Sequence, residues 1–281
     1  MRTFIFYSVI FLSLASCTSS DSSSEKIVGP DTSTYKKQEI FWHWENDFSA
    51  EEQEKMKEWI TVVSDCAQKV LGKYPFDLNY HFHREDNTNH AVIFGHTART
   101  ETMQAAHFYV NPIFPMDDFM EDWIAPHEIS HLALPRLGKP NKWFFEGFAT
   151  YMSRKVMTEM GVVTAEEADS VSWARIAEIK SAYESNSNFV FVADSLIANY
   201  HYSELYWGGG SYFHKIDRQL QAEGKMELID VLKYFQFWVH QPDLNFVKVI
   251  EAFDKISQST IFSDRYTDYT TKPARGILLE Y

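Results

Sequence analysis

Two histidines stand four residues apart in the segment WIAPHEISHLALPR, residues 123–136, with a glutamate directly after the first. Positions i and i+4 of a helix lie on one face, one turn apart, so His127 and His131 can direct two imidazoles at a single metal ion. Glu128 then lies beside any water on that ion, where a general base is needed. The pattern predicts a metal site with its own base; the alternative is a helix that carries two histidines for structural reasons.

A catalytic zinc site needs a third protein ligand and an open fourth position. Downstream of the histidines, RLGKPNK predicts a turn and WFFEGFATYMSRK predicts a second helix, in which Glu146 is the only acid of the first two turns. A carboxylate among so many aromatic side chains is costly to bury without a partner. A metal ion bound to Glu146 would offset that cost, and so would an ion pair with Arg136, so both interpretations stay open at this point.

Two segments together resemble a known family. The pattern His-Glu-x-x-His at 127–131, followed by Trp-Phe-Phe-Glu-Gly-Phe-Ala at 143–149, is similar to the gluzincin metallopeptidases, whose third ligand is a glutamate in a Trp-x-x-Glu-Gly-hydrophobic-Ala motif. Within the gluzincins the sequence is most similar to the peptidase-MA-like group, which is related to aminopeptidase N and thermolysin. The interval between His131 and Glu146 is shorter than we expect for the aminopeptidases.

The resemblance implies a zinc-dependent peptidase with one Zn²⁺ ion bound by His127, His131 and Glu146. Glu128 would accept the proton of the metal-activated water as general base and pass it to the leaving amine of the peptide bond. The sequence has no serine or cysteine nucleophile motif, so a covalent intermediate is not expected. Each histidine should have an acceptor for its second ring nitrogen, but the residue one turn after Glu146 is Thr150, not a carboxylate.

In aminopeptidase-like gluzincins, a tyrosine that donates a hydrogen bond to the oxyanion precedes a glycine-rich helical turn, and YWGGGSYFHKI resembles that segment. The residue that matches by position is Tyr206, while Tyr202 and Tyr212 are close rivals. The alternative role for such a tyrosine is packing within a helical lobe. The three glycines at 208–210 are not followed by the Lys-Ser/Thr of a phosphate loop, and we expect them to pack closely against the active-site helix.

The resemblance has one gap. The Gly-x-Met-Glu-Asn motif that holds the free amino terminus in the aminopeptidase families does not occur ahead of the histidines, where the chain reads ETMQAAHFYVNP. The sequence therefore does not support exopeptidase activity. We expect AAHFYVN, within this segment, to be the edge strand to which a substrate adds in antiparallel orientation.

The elements around these motifs predict an α+β fold, a zincin-like metallopeptidase domain with a small mixed sheet and a C-terminal helical lobe. Ser49 and Glu52 form a capping box at the start of a helix that ends before Gly72, and FDLNYHFHRE, AVIFGH and AAHFYVN are predicted strands. Thr164 and Glu167 form a second capping box. Helices are predicted near 123–134, 143–157, 165–184, 203–222, 226–239 and 243–256.

The N-terminus predicts export and a lipid anchor. MRTFIFYSVIFLSLASC has one positive charge, an apolar stretch and small residues before Cys17, which is typical of a cleaved signal. Residues 14–17 resemble the bacterial lipobox, in which the cysteine is lipidated; an ordinary signal peptide cut nearby is the alternative. The resemblance implies an exported protein anchored by lipid to a bacterial cell membrane, at the outer membrane or the periplasmic side.

The sequence predicts three parts, a signal peptide 1–16, a disordered tether 17–35 and a gluzincin-like peptidase domain 36–281. Within the domain we expect a sheet-containing half 36–120, a mostly helical half 121–257 and a tail 258–281.

Charge and composition argue against other classes of protein, such as nucleic-acid-binding proteins and proteins that span a membrane. A formal net charge of −13 argues against nucleic acid as a partner, and no apolar run after the N-terminus is long enough to cross a bilayer. With Cys17 lipidated, Cys66 has no intramolecular partner for a disulfide. His81 and His83 share one face of a predicted strand and could hold a second metal ion, although a solvated polar face is the commoner explanation.

Two functions fit these observations. One is a zinc peptidase that acts on peptides or small proteins, and the other is a non-catalytic binding lipoprotein with a metal-stabilised, peptidase-like fold. Glu128 favours the peptidase, because a binding protein has no need of a general base beside an open metal position. Cleavage preference, endo versus exo action and oligomeric state are not specified by the sequence.

Overall fold

The structure, a computed structural model, describes residues 38–100, 103–224, 226–239 and 244–278. The predicted signal peptide, the lipidation at Cys17 and the tether lie outside the described residues and stay predictions. Within the described ranges, no helix has both the length and the apolar character that spanning a membrane requires.

The N-terminal half is one long helix packed on a four-stranded sheet. Its elements are β1 (Ile40–Glu45), α1 (Ala50–Leu71), β2 (Leu78–Arg84), β3 (Val92–Arg99) and β4 (Gln104–Val110). The predicted capping box of α1 is confirmed, since the Ser49 hydroxyl accepts from the Glu52 amide at 3.2 Å and the Glu52 carboxylate accepts from the Ser49 amide at 2.8 Å. Gly72 ends the helix with φ 93°, a region that favours glycine.

The strands lie in the order β1-β2-β4-β3. Strands β1, β2 and β4 are parallel, whereas β3 is antiparallel to β4 and forms one edge. The mixed sheet is as predicted, but the expectation that AAHFYVN is the edge strand was wrong. That segment is β4, which is hydrogen-bonded on both sides. Buried and partly exposed residues alternate along an inner strand and along an edge strand in the same way, so the sequence could not show which of the two this segment is.

One face of the sheet is the core side. Tyr80 and Phe82 of β2 and Phe108 of β4 are fully buried there, and Trp59 of α1 meets the Phe108 ring edge-on at 5.6 Å. The Tyr80 hydroxyl is satisfied by Ser64 of α1 at 2.7 Å, because a buried hydroxyl without a partner is costly. The alternation of apolar residues along β2 is therefore explained by contact with α1.

The opposite face carries a row of histidines, one from each strand. His43, His81, His107 and His96 are paired in register across β1, β2, β4 and β3, and neighbouring rings stack at 4.1, 4.2 and 4.6 Å. His83 adds a hydrogen bond between its Nε2 and Nδ1 of His107 at 3.0 Å. Among the described residues, the one group of three ligand atoms close enough to share a metal ion includes neither His81 nor His83, so the second metal site considered for these two residues finds no support.

The second half is helical. Its helices are α2 (Met116–Met120), α3 (Ile124–His131), α4 (Lys142–Glu159), α5 (Ala165–Glu178), α6 (Phe189–Ala198), α7 (Tyr202–Ala222), α8 (Leu228–Trp238), α9 (Phe246–Ser257), α10 (Ile261–Thr271) and α11 (Ala274–Ile277). All six predicted helices are present, and the second capping box is confirmed at the start of α5. A small mixed sheet followed by a helical half confirms the α+β class.

Five elements were not predicted, namely β1, α2, α6, α10 and α11. Strand β1 was not identified, and α10 and α11 lie in the tail that sequence reasoning left without structure. Helix α6 has the sequence FVFVADSLIA, whose aromatic and β-branched residues are typical of strands. It is a helix because Asn188 caps its first turn by accepting from the Phe191 amide at 2.9 Å, and because its buried residues recur at helical spacing.

Helices α4 and α7 cross with their backbones in contact. A Cβ atom added to Gly147 would lie 2.1 Å from the carbonyl carbon of Gly209, and one added to Gly209 would lie 2.0 Å from the carbonyl oxygen of Trp143. No side chain fits between the helices at this point. The close packing expected of the glycines at 208–210 is found at Gly209, which contacts α4, whereas a Cβ atom added to Gly208 would meet the Tyr183 ring.

Candidate metal centre

Helix α3 directs both histidines of the His-Glu-x-x-His pattern to one side. The His127 and His131 rings are buried and lie edge to face with centroids 4.7 Å apart. One ligand atom from each histidine and one carboxylate oxygen of Glu128 all lie within 4.8 Å of one another. Three potential ligands therefore meet at one point of a helix that is only two turns long.

Glu146 approaches the same two histidines from the first turns of α4. Its Oε2 lies 3.3 Å from Nε2 of His127 and 3.3 Å from Nε2 of His131. Arg136, the other partner considered for this carboxylate, is exposed and makes no ion pair with it. The structure therefore brings together the three residues expected to bind the metal.

The short helix α3 is held at its C-terminal end by side chains from other parts of the fold. The prediction extended it to residue 134, but it ends at His131 and continues as a turn. The last carbonyls of a helix have no partner within it, and here the carbonyls at the end of α3 and in the turn after it accept from three separate side chains. The donors are Tyr74 to Ile129 at 2.9 Å, Arg99 to His131 at 3.0 Å and to Leu134, and Gln236 to Ala133.

The protonation states suit a divalent metal. Burial lowers the pKa of His131 to about 4, so its imidazole is neutral and has a free lone pair. Burial alone would raise the pKa of Glu146, but His131 and His127 outweigh it and hold that pKa well below its usual range. An imidazole pair with an ionised carboxylate is a donor set that zinc takes in catalytic sites.

Glu128 is in a different environment. Its carboxyl group is buried, which raises its pKa to about 7; His127 opposes that shift and Glu146 adds to it. The edge strand β3 covers it closely, since a Cβ atom added to Gly95 would lie 2.6 Å from Cγ of Glu128. A glycine at this position of the strand is what allows the sheet edge to pass directly beside the glutamate.

The second ring nitrogens of the histidines have no hydrogen-bond partner within the described residues. Nδ1 of His127 and Nδ1 of His131 are both buried and unpaired there, so the expected acceptors were not found. Aromatic rings lie against the imidazoles instead. Trp123 meets the His127 ring edge-on at 5.1 Å, and Phe145 stacks on the His131 ring at 4.1 Å with planes 17° apart.

The three candidate tyrosines differ in their distance from the histidines and in their burial. The Tyr206 ring lies 5.4 Å from that of His127, and burial raises the pKa of its hydroxyl, with Glu146 and Glu128 adding to the shift. Tyr212 is fully buried and donates to the carbonyl of Phe262 at 2.7 Å. Tyr202 is 38% exposed and contacts Tyr206. Tyr206 alone of the three packs on a histidine of the centre.

Two contributions to this centre were missed by sequence reasoning. Arg99 was not singled out, because nothing in its own segment shows that it reaches a helix more than thirty residues later. Gly95 was placed in a strand without a role, although an isolated glycine in a strand is a signal of close approach by another backbone or side chain. Both depend on how β3 sits against α3, which is a tertiary relationship.

No family model matches the chain, and no curated protein matches it in sequence. Among solved structures it is similar to an M1 zinc metallopeptidase from Deinococcus radiodurans, with 12% identity, a TM-score of 0.48, and 82% of this chain and 47% of that chain covered. A mutant of that enzyme bound to a Tyr-Ser-Ala substrate gives 12% identity, a TM-score of 0.49 and the same coverage. The chain thus spans less than half the length of these structures, and likeness of fold does not extend to activity.

Proposed function

We propose that the protein is a zinc-dependent peptidase that hydrolyses peptide bonds with a metal-activated water. The observation that carries the proposal is that one carboxylate oxygen of Glu146 lies 3.3 Å from Nε2 of both His127 and His131. The buried carboxyl group of Glu128, the residue that follows His127, lies beside them. Two imidazoles, one ionised carboxylate and a neighbouring base form the set of groups that metal-assisted hydrolysis needs.

His127, His131 and Glu146 would hold the ion. When bound, Zn²⁺ supplies a Lewis acid that polarises a carbonyl group and makes water more acidic. The neutral imidazole of His131 and the ionised carboxylate of Glu146 are ready to act as ligands at neutral pH, so they need not lose a proton first. Phe145 and Trp123 restrict the rotation of the imidazoles by packing against them, in place of the hydrogen-bond acceptors that were expected.

Glu128 would act as the general base. In its ionised form it accepts a proton from the attacking water, and in its protonated form it donates that proton to the nitrogen of the leaving amine. Burial holds its pKa near 7, close to the pH at which both transfers have to occur. Contact with Gly95 fixes the carboxylate beside the edge strand, so a substrate that adds to β3 would lie next to the base.

Tyr206 would stabilise the oxyanion that forms when water attacks the carbonyl. Its raised pKa keeps the hydroxyl protonated at neutral pH, and only a protonated hydroxyl can donate a hydrogen bond. Donors arranged before the reaction stabilise developing charge without reorganisation. The packing of its ring on His127 supports this role over that of Tyr202 or Tyr212.

The proposal is tested with the purified full-length chain and its Glu128→Gln variant. Both proteins are incubated with a complex peptide mixture, the products are read by mass spectrometry, and the zinc content of each is measured. We expect cleavage by the wild type and loss of turnover by about 10²–10⁴-fold in the variant, with equal zinc. A Glu178→Gln variant, which changes an exposed glutamate of α5, is the matched control and should cleave like the wild type.

Two results would contradict the proposal. Cleavage that survives in Glu128→Gln would mean that another group is the base or that a contaminant is active. Stoichiometric zinc without cleavage by any variant would favour the non-catalytic binding protein. The positions of the cuts also separate endo from exo action, since an exopeptidase releases residues one or two at a time from a chain end.

A further inference from the structure

A second cavity lies away from the metal centre, on the C-terminal half of α4. It has a volume of about 210 Å³ and is enclosed mainly by α4 and α5, with one side chain each from α1 and α8. Arg154 projects from the α4 wall. It comes eight residues after Glu146, about 12 Å farther along the helix axis, so this cavity and the metal centre are separate.

The charged side chains around this cavity have partners inside the protein, with one exception. The paired groups are Lys155 with Asp217 at 2.8 Å, Glu159 with Lys69 at 3.3 Å, and Asp169 with His214 at 2.8 Å. Each of these carboxylates therefore already has a partner within the protein.

Arg154 is the exception. Its Nε is buried and has no hydrogen-bond partner among the described residues. Its Nη1 is 3.8 Å from the sulfur of Met157, and its guanidinium carbon lies 5.6 Å from the centroid of the Trp207 ring. A guanidinium that is partly withdrawn from water without an opposing charge costs free energy. Its environment therefore favours an anion brought from outside the chain.

The rest of the wall limits what that anion can be. The hydroxyl of Thr158 already donates to the Arg154 carbonyl at 3.0 Å, and that of Ser172 donates to the Ala168 carbonyl at 2.8 Å. Lys155 already faces the carboxylate of Asp217, so Arg154 is the cation of this wall that has no carboxylate partner among the described residues, which suits one anionic group. The other contacts would be apolar, from Val70, Ala165, Ala168 and Ile229.

We propose that this cavity binds a small organic monoanion, a carboxylate on an apolar body, through the guanidinium of Arg154. The planar fork of an arginine matches two carboxylate oxygens, and the apolar wall removes the body of the ligand from water. The volume admits a ligand of roughly amino-acid size. This site goes beyond the proposed peptidase activity and does not depend on it, because none of His127, His131 and Glu146 lines the cavity.

The test is calorimetric titration of the full-length chain with 3-methylbutanoate as the probe. We expect saturable binding by the wild type, at least about tenfold weaker binding by Arg154→Gln, and intermediate binding by Arg154→Lys, which keeps the charge but not the fork. Arg175→Gln is the matched control, since it removes a nearby exposed cation that does not line the cavity. The neutral amide of the probe should bind at least about tenfold more weakly than the probe itself.

Carboxylates also bind zinc, so the same titration is made with Glu146→Ala. Binding there should equal the wild type if the cavity is the site, and would be lost if the probe bound at the metal centre. The proposal is overturned if the wild type shows no binding up to about 10 mM, if Arg154→Gln binds as well as the wild type, or if inorganic phosphate binds more tightly than the probe. An unchanged circular dichroism spectrum and unfolding midpoint in Arg154→Gln show that a loss of binding is not a loss of folding.

Discussion

Nη1 of Arg99 donates a hydrogen bond to the carbonyl oxygen of His131 at 3.0 Å. Arg99 is the last residue of β3 and His131 is the last residue of α3, so one guanidinium joins the edge strand to the end of the helix that carries both histidines. The same side chain also reaches the Leu134 carbonyl and, through Nε, the side-chain oxygen of Gln104 at 2.6 Å. Strand and helix therefore keep a fixed position relative to each other at the point where the site is built.

Replacing Arg99 by methionine should loosen α3. The substitution removes the hydrogen bonds from Arg99 to the carbonyls of His131 and Leu134, so that His131 keeps only the Leu134 amide at 3.3 Å. We expect a loss of about 2–4 kcal/mol in the free energy of unfolding together with weaker zinc binding. Urea unfolding and chelator competition measure the two effects. Arg175→Met, on the exposed face of α5, should change stability by no more than about 0.5 kcal/mol. Equal zinc affinity in Arg99→Met and wild type would show that Arg99 does not position the histidines.

Glu146→Ala should release the metal while leaving the fold in place. Loss of one of three protein ligands is expected to weaken zinc binding by at least about 100-fold, and turnover should fall with it. Zinc content after dialysis against a chelator is the measurement, and circular dichroism checks the fold. His131→Ala should behave in the same way. Unchanged zinc affinity in Glu146→Ala would mean that the third ligand is another residue.

Tyr206→Phe should lower kcat by about 10²-fold, the effect of losing one oxyanion donor, with zinc content unchanged. Tyr202→Phe is the matched control, because its ring contacts Tyr206 but not the histidines, and it should keep nearly full activity. Steady-state kinetics on a single peptide found in the mixture experiment separate kcat from KM. If Tyr202→Phe loses activity and Tyr206→Phe keeps it, the oxyanion donor is the more exposed tyrosine.

His107 should make the protein less stable in acid. Burial lowers its pKa in the folded state to about 4, and the neighbouring His81, His96, His83 and His43 add to that shift. Its unfolded value is about 6.5. Between these values the unfolded chain binds the extra proton, so stability contributed by neutral His107 is lost as the pH falls from about 6.5 to about 4.

The measurement is the free energy of unfolding of wild type and His107→Phe across that pH range. The difference between the two proteins reports the titration of His107 together with its effect on the neighbouring histidines. We expect the wild type to lose stability relative to His107→Phe as the pH falls through the window. A constant difference would show that His107 titrates normally in the folded state.

Much of this fold could be predicted from local sequence patterns, whereas the relationships between residues far apart in the chain could not. The capping boxes of α1 and α5 follow from residues near one another in sequence, and the structure confirms them. The placing of AAHFYVN at the sheet edge failed because strand order depends on which segments pair across the chain. Helix α6 was missed because its β-branched and aromatic residues are typical of strands. The helical spacing of its apolar residues becomes clear only from which of them are buried against the other helices.

The candidate site likewise combines residues that local sequence patterns predict with residues that only the tertiary structure brings together. His127 and His131 are four residues apart, so helix geometry alone brings them together, and Glu146 joined them through a motif on the following helix. Choosing Tyr206 over Tyr202 and Tyr212 needed the packing of α7 on α4, which decides which ring reaches His127. Arg99 and Gly95 act across the junction of β3 and α3, which no short segment of sequence encodes.

The contact between Gly147 and Gly209 fixes the distance between the residue proposed as third ligand and the proposed oxyanion donor. Glu146 precedes one glycine and Tyr206 lies three residues before the other, and no side chain that could change rotamer lies between the two backbones. The helix pair should therefore move as one rigid unit, and its amide hydrogens should exchange only when the whole protein unfolds. Differences in which peptides are accepted should therefore arise from substituted side chains on α3 and β3, and not from movement of α4 against α7.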